Sequence, residues 1–166
     1  MAEMLTKCGT VVLVDDDIAE QNRHFTWRID KFGYVVRTTN VNGKKGRIVL
    51  LHRVVMECHD SSILVDHRDM NPLNNTRLNL RLATRSQNGQ NTMKASGCSS
   101  LFKGVTWNKR SRKWQAMIKG GANRIYLGLF DNEHEAGHAY NRAAIEIHGE
   151  FARLNPVGIP QGANHD

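Results

Sequence analysis

Residues 70–130 contain no Asp or Glu, yet the same 61 positions carry eleven Lys or Arg. A chain that keeps anions out of so long a segment is shaped to lie against a polyanion, because each neutralised phosphate releases counterions and strengthens binding. A solvated basic face is the plainer alternative. A membrane surface fits less well, since the cations alternate at strand-like spacing and form no amphipathic helix. The whole chain leans the same way, with 23 Lys and Arg against 16 Asp and Glu and a net charge of +7. At 166 residues it has room for one ordinary domain or two small ones. An apolar share of 40% and a charged share of 23% are those of a soluble folded chain. No apolar run approaches the ~20 residues of a membrane helix. The start lacks the basic flank and small-residue cleavage site of a secretory leader, so a cytoplasmic protein is expected. Cys8, Cys58 and Cys98 include no CxxC pair and read as reduced thiols.

Periodicity and turn signals divide the chain. Residues 1–51 read as a small α+β region. It has a strand at 10–14, a helix capped by the cluster Asp15, Asp16 and Asp17, and strands at 24–28 and 34–39. Asn42-Gly43 is a tight-turn signal that folds a strand at 47–51 back as a hairpin. A short helix follows at 52–58. Residues 61–91 are dense in Asn, 93–100 read as a linker, and 101–155 form a second module of three strands and one helix. The tail, 156–166, reads as frayed.

In the middle segment an apolar β-branched strand, 63–67, ends in Asp66 and His67. After a polar loop comes a second strand, 80–84, with inward Leu positions. A short helix then starts near Thr84 or Ser86, either of which can cap it. This order brings Asp66 and His67 near Asn88 on the helix's first turns. A carboxylate and an amide oxygen suit a hard cation that keeps several waters, magnesium or manganese. The neighbouring His could take a proton from water attacking a phosphodiester. A hydrogen-bonded structural Asp-His pair is the competing reading.

The strings LHRVVM and VDHRDMNPLNNTRLNLRLATRSQNGQN, over residues 52–91, closely resemble the HNH (ββα-metal) nucleases, particularly homing endonucleases of phages and introns. The resemblance implies Asp66 as a metal ligand and His67 as the general base. It implies Asn79 as the central asparagine that holds the loop and orients the histidine, and Asn88 as a metal ligand on the helix. Many members carry His at that last position, and Asn places this chain with a variant group. His52 and Arg53 match a recurrent pair with a packing or backbone role. One divalent ion per site, magnesium or manganese, and 5′-phosphate and 3′-hydroxyl products are implied. Arg81 and Arg85 are candidate phosphate clamps, or simply surface arginines.

In the C-terminal module, 102–107, 113–119 and 124–130 alternate as strands should, with Gly120-Gly121 closing a hairpin. Lys113, Gln115, Met117 and Lys119 share one face, while Trp114, Ala116 and Ile118 share the other. A sheet with one basic face can read DNA in the major groove. The helix at 132–147, opened by Asn132 and Glu135 as a capping-box-like pair, covers the other face. FKGVTW, KWQAMI, YLGLF and EAGHAYNRAAIEIHGEFARLN resemble the DNA-binding domain of plant ethylene-response factors of the APETALA type. That resemblance implies DNA contacts from Lys103, Thr106, Asn108, Lys119, Arg124 and Tyr126. Lys103, Thr106, Asn108 and Tyr126 replace residues of the plant pattern, so the plant recognition sequence does not transfer. Trp114 reads as core rather than as a stacking platform. His134, Glu135 and His138 match the HExxH zinc motif. The apolar set Ala136, Tyr140, Ala143, Ala144 and Ile147 lies roughly opposite and no third ligand follows, so no catalytic zinc is expected.

The expected architecture is α+β. A ββα-metal core is preceded by a small α/β region and followed by a three-stranded antiparallel sheet packed on one helix. The expected function is a metal-dependent, homing-type DNA endonuclease, monomeric or homodimeric. Double-stranded DNA is its partner, with no membrane or protein partner. A phage or mobile element would encode it, acting in the cytoplasm of a bacterial host. The alternatives are a DNA-binding protein with a vestigial nuclease motif, a metalloprotease acting through His134 and His138, and a structural basic protein.

Overall fold

Val12 and Val14, β-branched and spaced by two, turn inward from the second strand of the chain and start its first core. The computed structural model describes residues 1–41, 44–94 and 97–158. These fall into two compact units, Met1–Asn88 and Gly89–Asp166. In the first unit, β1 (Ala2–Leu5) and β2 (Val11–Val14) form an antiparallel hairpin, Ala2 opposite Val14. β1 escapes sequence reading because its four residues lack β-branched side chains. α1 (Asp16–Asn22) follows, with Asp16 and Asp17 in its first turn, where carboxylates meet the positive end of the helix dipole. Asp15 sits at the cap position without capping. Its carboxylate accepts the backbone N–H of Arg77 at 2.9 Å instead.

The strand expected over 24–28 shrinks to β3 (Arg28–Ile29), because Trp27 leaves the ladder for the core, where it is 1% exposed. β4 (Val35–Val41) and β5 (Lys44–Leu50) pair back as the expected hairpin, with β3 on the outer edge of β4. The Asn42-Gly43 turn lies outside the described residues. α2 (Leu51–Val55) then packs Leu51 and Val55 into the core with Trp27, Val35 and Val65.

Two devices set the position of the next hairpin, β6 (Leu64–His67) against β7 (Leu80–Ala83). Arg53 of α2 donates from Nη1 to the Ile63 carbonyl at 2.9 Å and from Nη2 to the Asp60 carbonyl at 2.6 Å, tying down the chain that enters β6. β2 grips the loop between the two strands. The Leu13 N–H donates to the Leu73 carbonyl and the Asn75 N–H to the Leu13 carbonyl, at 2.9 and 2.8 Å. Arg77 adds a two-pronged pair to Asp17, at 2.8 and 2.6 Å. α3 (Arg85–Gln90) leaves β7 through a capping box. The Gln87 N–H donates to Thr84 Oγ1 and the Thr84 N–H to Gln87 Oε1.

The second unit holds the expected three-stranded antiparallel sheet, β8 (Val105–Asn108), β9 (Lys113–Gly120) and β10 (Asn123–Phe130), with β9 central. Ala116 and Ile118 of β9 are buried in the core, as are Ala136, Tyr140 and Ala144 of α4 (Glu133–His148). Asn132 caps α4, accepting the His134 N–H at 2.7 Å. Gly104 has φ +75°, and a Cβ there would stand 2.2 Å from the Tyr140 ring and 2.4 Å from the Met117 carbonyl oxygen, so only glycine fits.

Two expectations for the flanks change. Lys94, placed in the linker, donates its ammonium to the carbonyls of Phe102 and Val105. Lys103 returns the favour to Gln90 and Thr92, at 2.6 and 2.8 Å, so residues 90–94 are strapped to the sheet module. Ala95 and Ser96 lie outside the described residues. The tail is packed through its described part, with Val157 against the core and filling the space a Cβ on Gly137 would need. Residues 159–166, the rest of the tail read as frayed, lie outside the described residues.

Candidate active site

Asp66 and His67 are successive residues at the end of β6, and each is 6% exposed. The register of the hairpin sets Asp66 opposite Arg81 and His67 opposite Leu80. Arg81 turns to the carboxylate, with Nε donating to Oδ2 at 2.8 Å and Nη2 at 2.7 Å from the same oxygen. With 6% of its surface exposed, Arg81 is an internal counter-ion of Asp66, not the phosphate clamp expected of it. Arg85, at the start of α3, is exposed.

The loop after His67 is knotted by amides. Asn79 Oδ1 accepts the Asp69 N–H at 3.1 Å, and Asn79 Nδ2 donates to Asp69 Oδ1 and to the Asn74 carbonyl, at 2.9 and 2.7 Å. Burial would raise the Asp69 carboxyl. Hydrogen bonds from the Asn71 N–H and the Asn74 and Asn79 amides outweigh it and hold the acid below its ordinary range. Asn88, half-buried on α3, donates its backbone N–H to the Thr84 carbonyl.

Three rings meet at His67. The His52 ring stands edge-on to it, centroids 5.3 Å apart, and the Tyr34 ring lies 5.2 Å from His52 and 6.1 Å from His67. Asn75 Oδ1 lies 3.5 Å from His67 Nε2. Burial pushes the His67 imidazole below its ordinary pKa, against the opposing pull of Asn75, Asp69 and Asp66. Burial, with the charges of His67 and Arg53, lowers His52 to about 4. Both rings are therefore neutral near pH 7. Sequence reasoning missed Tyr34 and Asn75. It gave His52 a packing role without its neighbour, and only the crowding of Asn around residues 71–79 hinted at a structured loop.

Among the described residues no three His, Cys, Asp or Glu side chains cluster as a metal would need. A site built on one carboxylate and one amide oxygen, completed by water, does not require such a cluster, and its hard oxygen donors fit magnesium or manganese. His134 packs edge-on against Phe102 at 5.0 Å, and His138 Nε2 lies 2.9 Å from the Gly158 carbonyl oxygen. The two histidines thus have separate partners.

On the C-terminal sheet, Lys119 and Arg124 are exposed and directly opposite each other, and Tyr126 is exposed opposite Met117. Thr106 is exposed opposite Gln115. Asn108 is occupied in shaping the turn: its Oδ1 accepts the N–H groups of Arg110 and Ser111 at 3.1 Å. Lys103 precedes β8, and its ammonium is spent on the Gln90 and Thr92 carbonyls, so the DNA contact expected of it does not match its placement.

Residues 49–90 match the family model described as HNH endonuclease. An uncharacterized HNH endonuclease of Acanthamoeba polyphaga mimivirus is 33% identical over 150 residues, which are 90% of this chain and 76% of that protein. The APETALA2-like protein 2 of Oryza sativa subsp. indica is 42% identical over 57 residues, 34% of this chain but only 13% of the plant protein. The solved structure of the HNH homing endonuclease I-HmuI, described for its DNA binding and cleavage, aligns with a TM-score of 0.38 at 24% identity. That alignment covers 61% of this chain and 60% of the other.

Proposed function

The chain belongs to the HNH endonuclease family, and we propose that it is a homing-type nuclease that hydrolyses DNA through His67 with one divalent ion. The observation that carries this reading is the buried Asp66–His67 pair, in which burial favours the neutral, proton-accepting form of the histidine. Asp66 and Asn88 would hold the ion, magnesium or manganese, which would supply charge to stabilise the phosphate and the departing 3′ oxygen. Arg81 fixes the Asp66 carboxylate in the register of β6 and β7. Asn79 fastens the loop that begins at His67. His67 removes a proton from the attacking water. The products are 5′-phosphate and 3′-hydroxyl ends.

The C-terminal sheet is the docking surface for double-stranded DNA. Lys119 beside Arg124 supports this, because like charges directly opposite across two strands repel unless an anion lies over them. Thr106 and Tyr126 extend the same surface, and Arg85 is left as a phosphate contact of the nuclease module.

Supercoiled plasmid and phage-type genomic DNA incubated with the full chain should be nicked or broken with magnesium or manganese and left intact in EDTA. Binding without breakage in every metal would instead favour a DNA-binding protein with a vestigial nuclease motif. Lys119→Ala and Arg124→Ala should each weaken binding and reduce the slope of log K against log salt by about 1. An unchanged slope would remove this sheet as the docking surface.

A further inference from the structure

Asn75 is 0% exposed, and its amide cannot turn over. Nδ2 donates to the Pro72 carbonyl at 2.9 Å, and a flipped amide would set its oxygen against that carbonyl oxygen. Oδ1 is therefore the atom that faces His67 Nε2, at 3.5 Å. An amide oxygen only accepts, so a hydrogen bond between these two atoms requires the hydrogen on Nε2. The backbone is equally fixed, since the Asn75 N–H donates to the Leu13 carbonyl at 2.8 Å and the Leu13 N–H to Leu73. The His52 and Tyr34 rings neighbour the imidazole, with centroids 5.3 and 6.1 Å away.

We propose that Asn75 is a positioning residue that fixes the tautomer of His67 by accepting its Nε2–H, so that Nδ1 is the nitrogen that takes the proton of the attacking water. The proposal rests on the reading of His67 as general base. One O–H bond of the water breaks as an N–H bond forms at Nδ1. The water oxygen's electron pair bonds to phosphorus, and the P–O3′ pair leaves with the 3′ oxygen, which is protonated from solvent. The ring that results is an imidazolium, and its Nε2–H bond to Asn75 becomes charge-assisted and stronger. Tyr34 and His52 limit the ring's rotation, so the donor stays aimed at Oδ1 through the step.

The test uses the full chain, 15N-labelled and EDTA-treated, at mildly alkaline pH. Two-bond 1H–15N correlations of the histidine rings report the tautomers, with His67 assigned from the His67→Ala spectrum. His67 should be the Nε2–H tautomer, and an Nδ1–H tautomer would overturn the proposal. In Asn75→Leu the tautomers should mix, and kcat should fall about ten- to a hundredfold, the range carried by partners that orient a functional side chain, with KM for DNA unchanged. A Leu variant with an unchanged tautomer would also overturn the proposal. If that variant does not fold, the wild-type spectrum still decides. An Nε2–H ring in a protein whose His67→Ala variant still cleaves would remove the base and leave the tautomer assignment standing. An Nδ1–H ring with a dead His67→Ala variant would do the reverse.

Discussion

His67→Ala should lose cleavage by about 10²–10⁴-fold, the contribution of a positioned general base, while DNA affinity stays where it was. The imidazole is 6% exposed at the end of β6, whereas the cations assigned to docking lie on β9 and β10, so the two measurements separate. A parallel fall in affinity would make His67 structural. The pH profile carries a second check. Burial depresses the His67 pKa, so the neutral form persists to lower pH than in a free histidine. The acid limb of kcat/KM should therefore fall below the ordinary histidine value of about 6.5, and a limb above that value would contradict a buried neutral base. Stability must be followed alongside. His52, lowered from 6.5 to about 4, favours the folded state fully above pH 6.5 and loses that contribution as pH falls through about 4. The span corresponds to about 3 kcal/mol, so unfolding has to be scored by Tm across the same window.

The contrast between Asp66 and Arg81 marks where sequence stops being informative. The strand that ends in Asp66 and His67 and the helix that carries Asn88 could be read from local pattern, whereas Asn79 and the roles of all four residues come only from the resemblance to HNH nucleases. The place of Arg81 was not legible. The alternation Leu80, Arg81, Leu82, Ala83 reads as a strand with leucines in and arginine out. The hairpin buries Leu80, Arg81 and Ala83 and leaves Leu82 48% exposed. Which residue faces Asp66 depends on the register of a two-stranded ribbon, and its register is held in turn by β2 gripping the loop from far away in sequence. Lys103 escaped for a related reason. A lysine near a strand in a basic segment resembles a phosphate contact, but its ammonium lies beside the backbone carbonyls of Gln90 and Thr92, whose acceptors need donors. The sheet of the second unit was readable almost throughout, since period-two alternation over 113–119 and a well-capped helix each specify one buried face. Long-range placement, such as Trp27 in the core or Tyr34 beside His52, has no local signature.

Arg81→Ala should destabilise the Met1–Asn88 unit by about 3–5 kcal/mol, because removing one partner of a buried pair leaves the other charge uncompensated. The Asp66 carboxylate also loses the two donors that orient it, so cleavage should fall along with stability. Arg81→Lys keeps the charge but cannot supply both Nε and Nη2 to Oδ2, and should lie between wild type and Ala in both readouts. A phosphate clamp predicts a different pattern, a salt slope of DNA binding reduced by about 1 with the unfolding midpoint unchanged. That result would restore the surface role and refute the internal pair. The Asp66→Ala, Arg81→Ala double variant completes the cycle. With both charges gone, no buried ion is stranded, so its stability should exceed that of either single variant, although the nuclease would be dead. Additive losses would mean that the two side chains act independently, each held by other neighbours. A double variant more stable than either single one would show that the cost of each single change is the stranded charge of its partner.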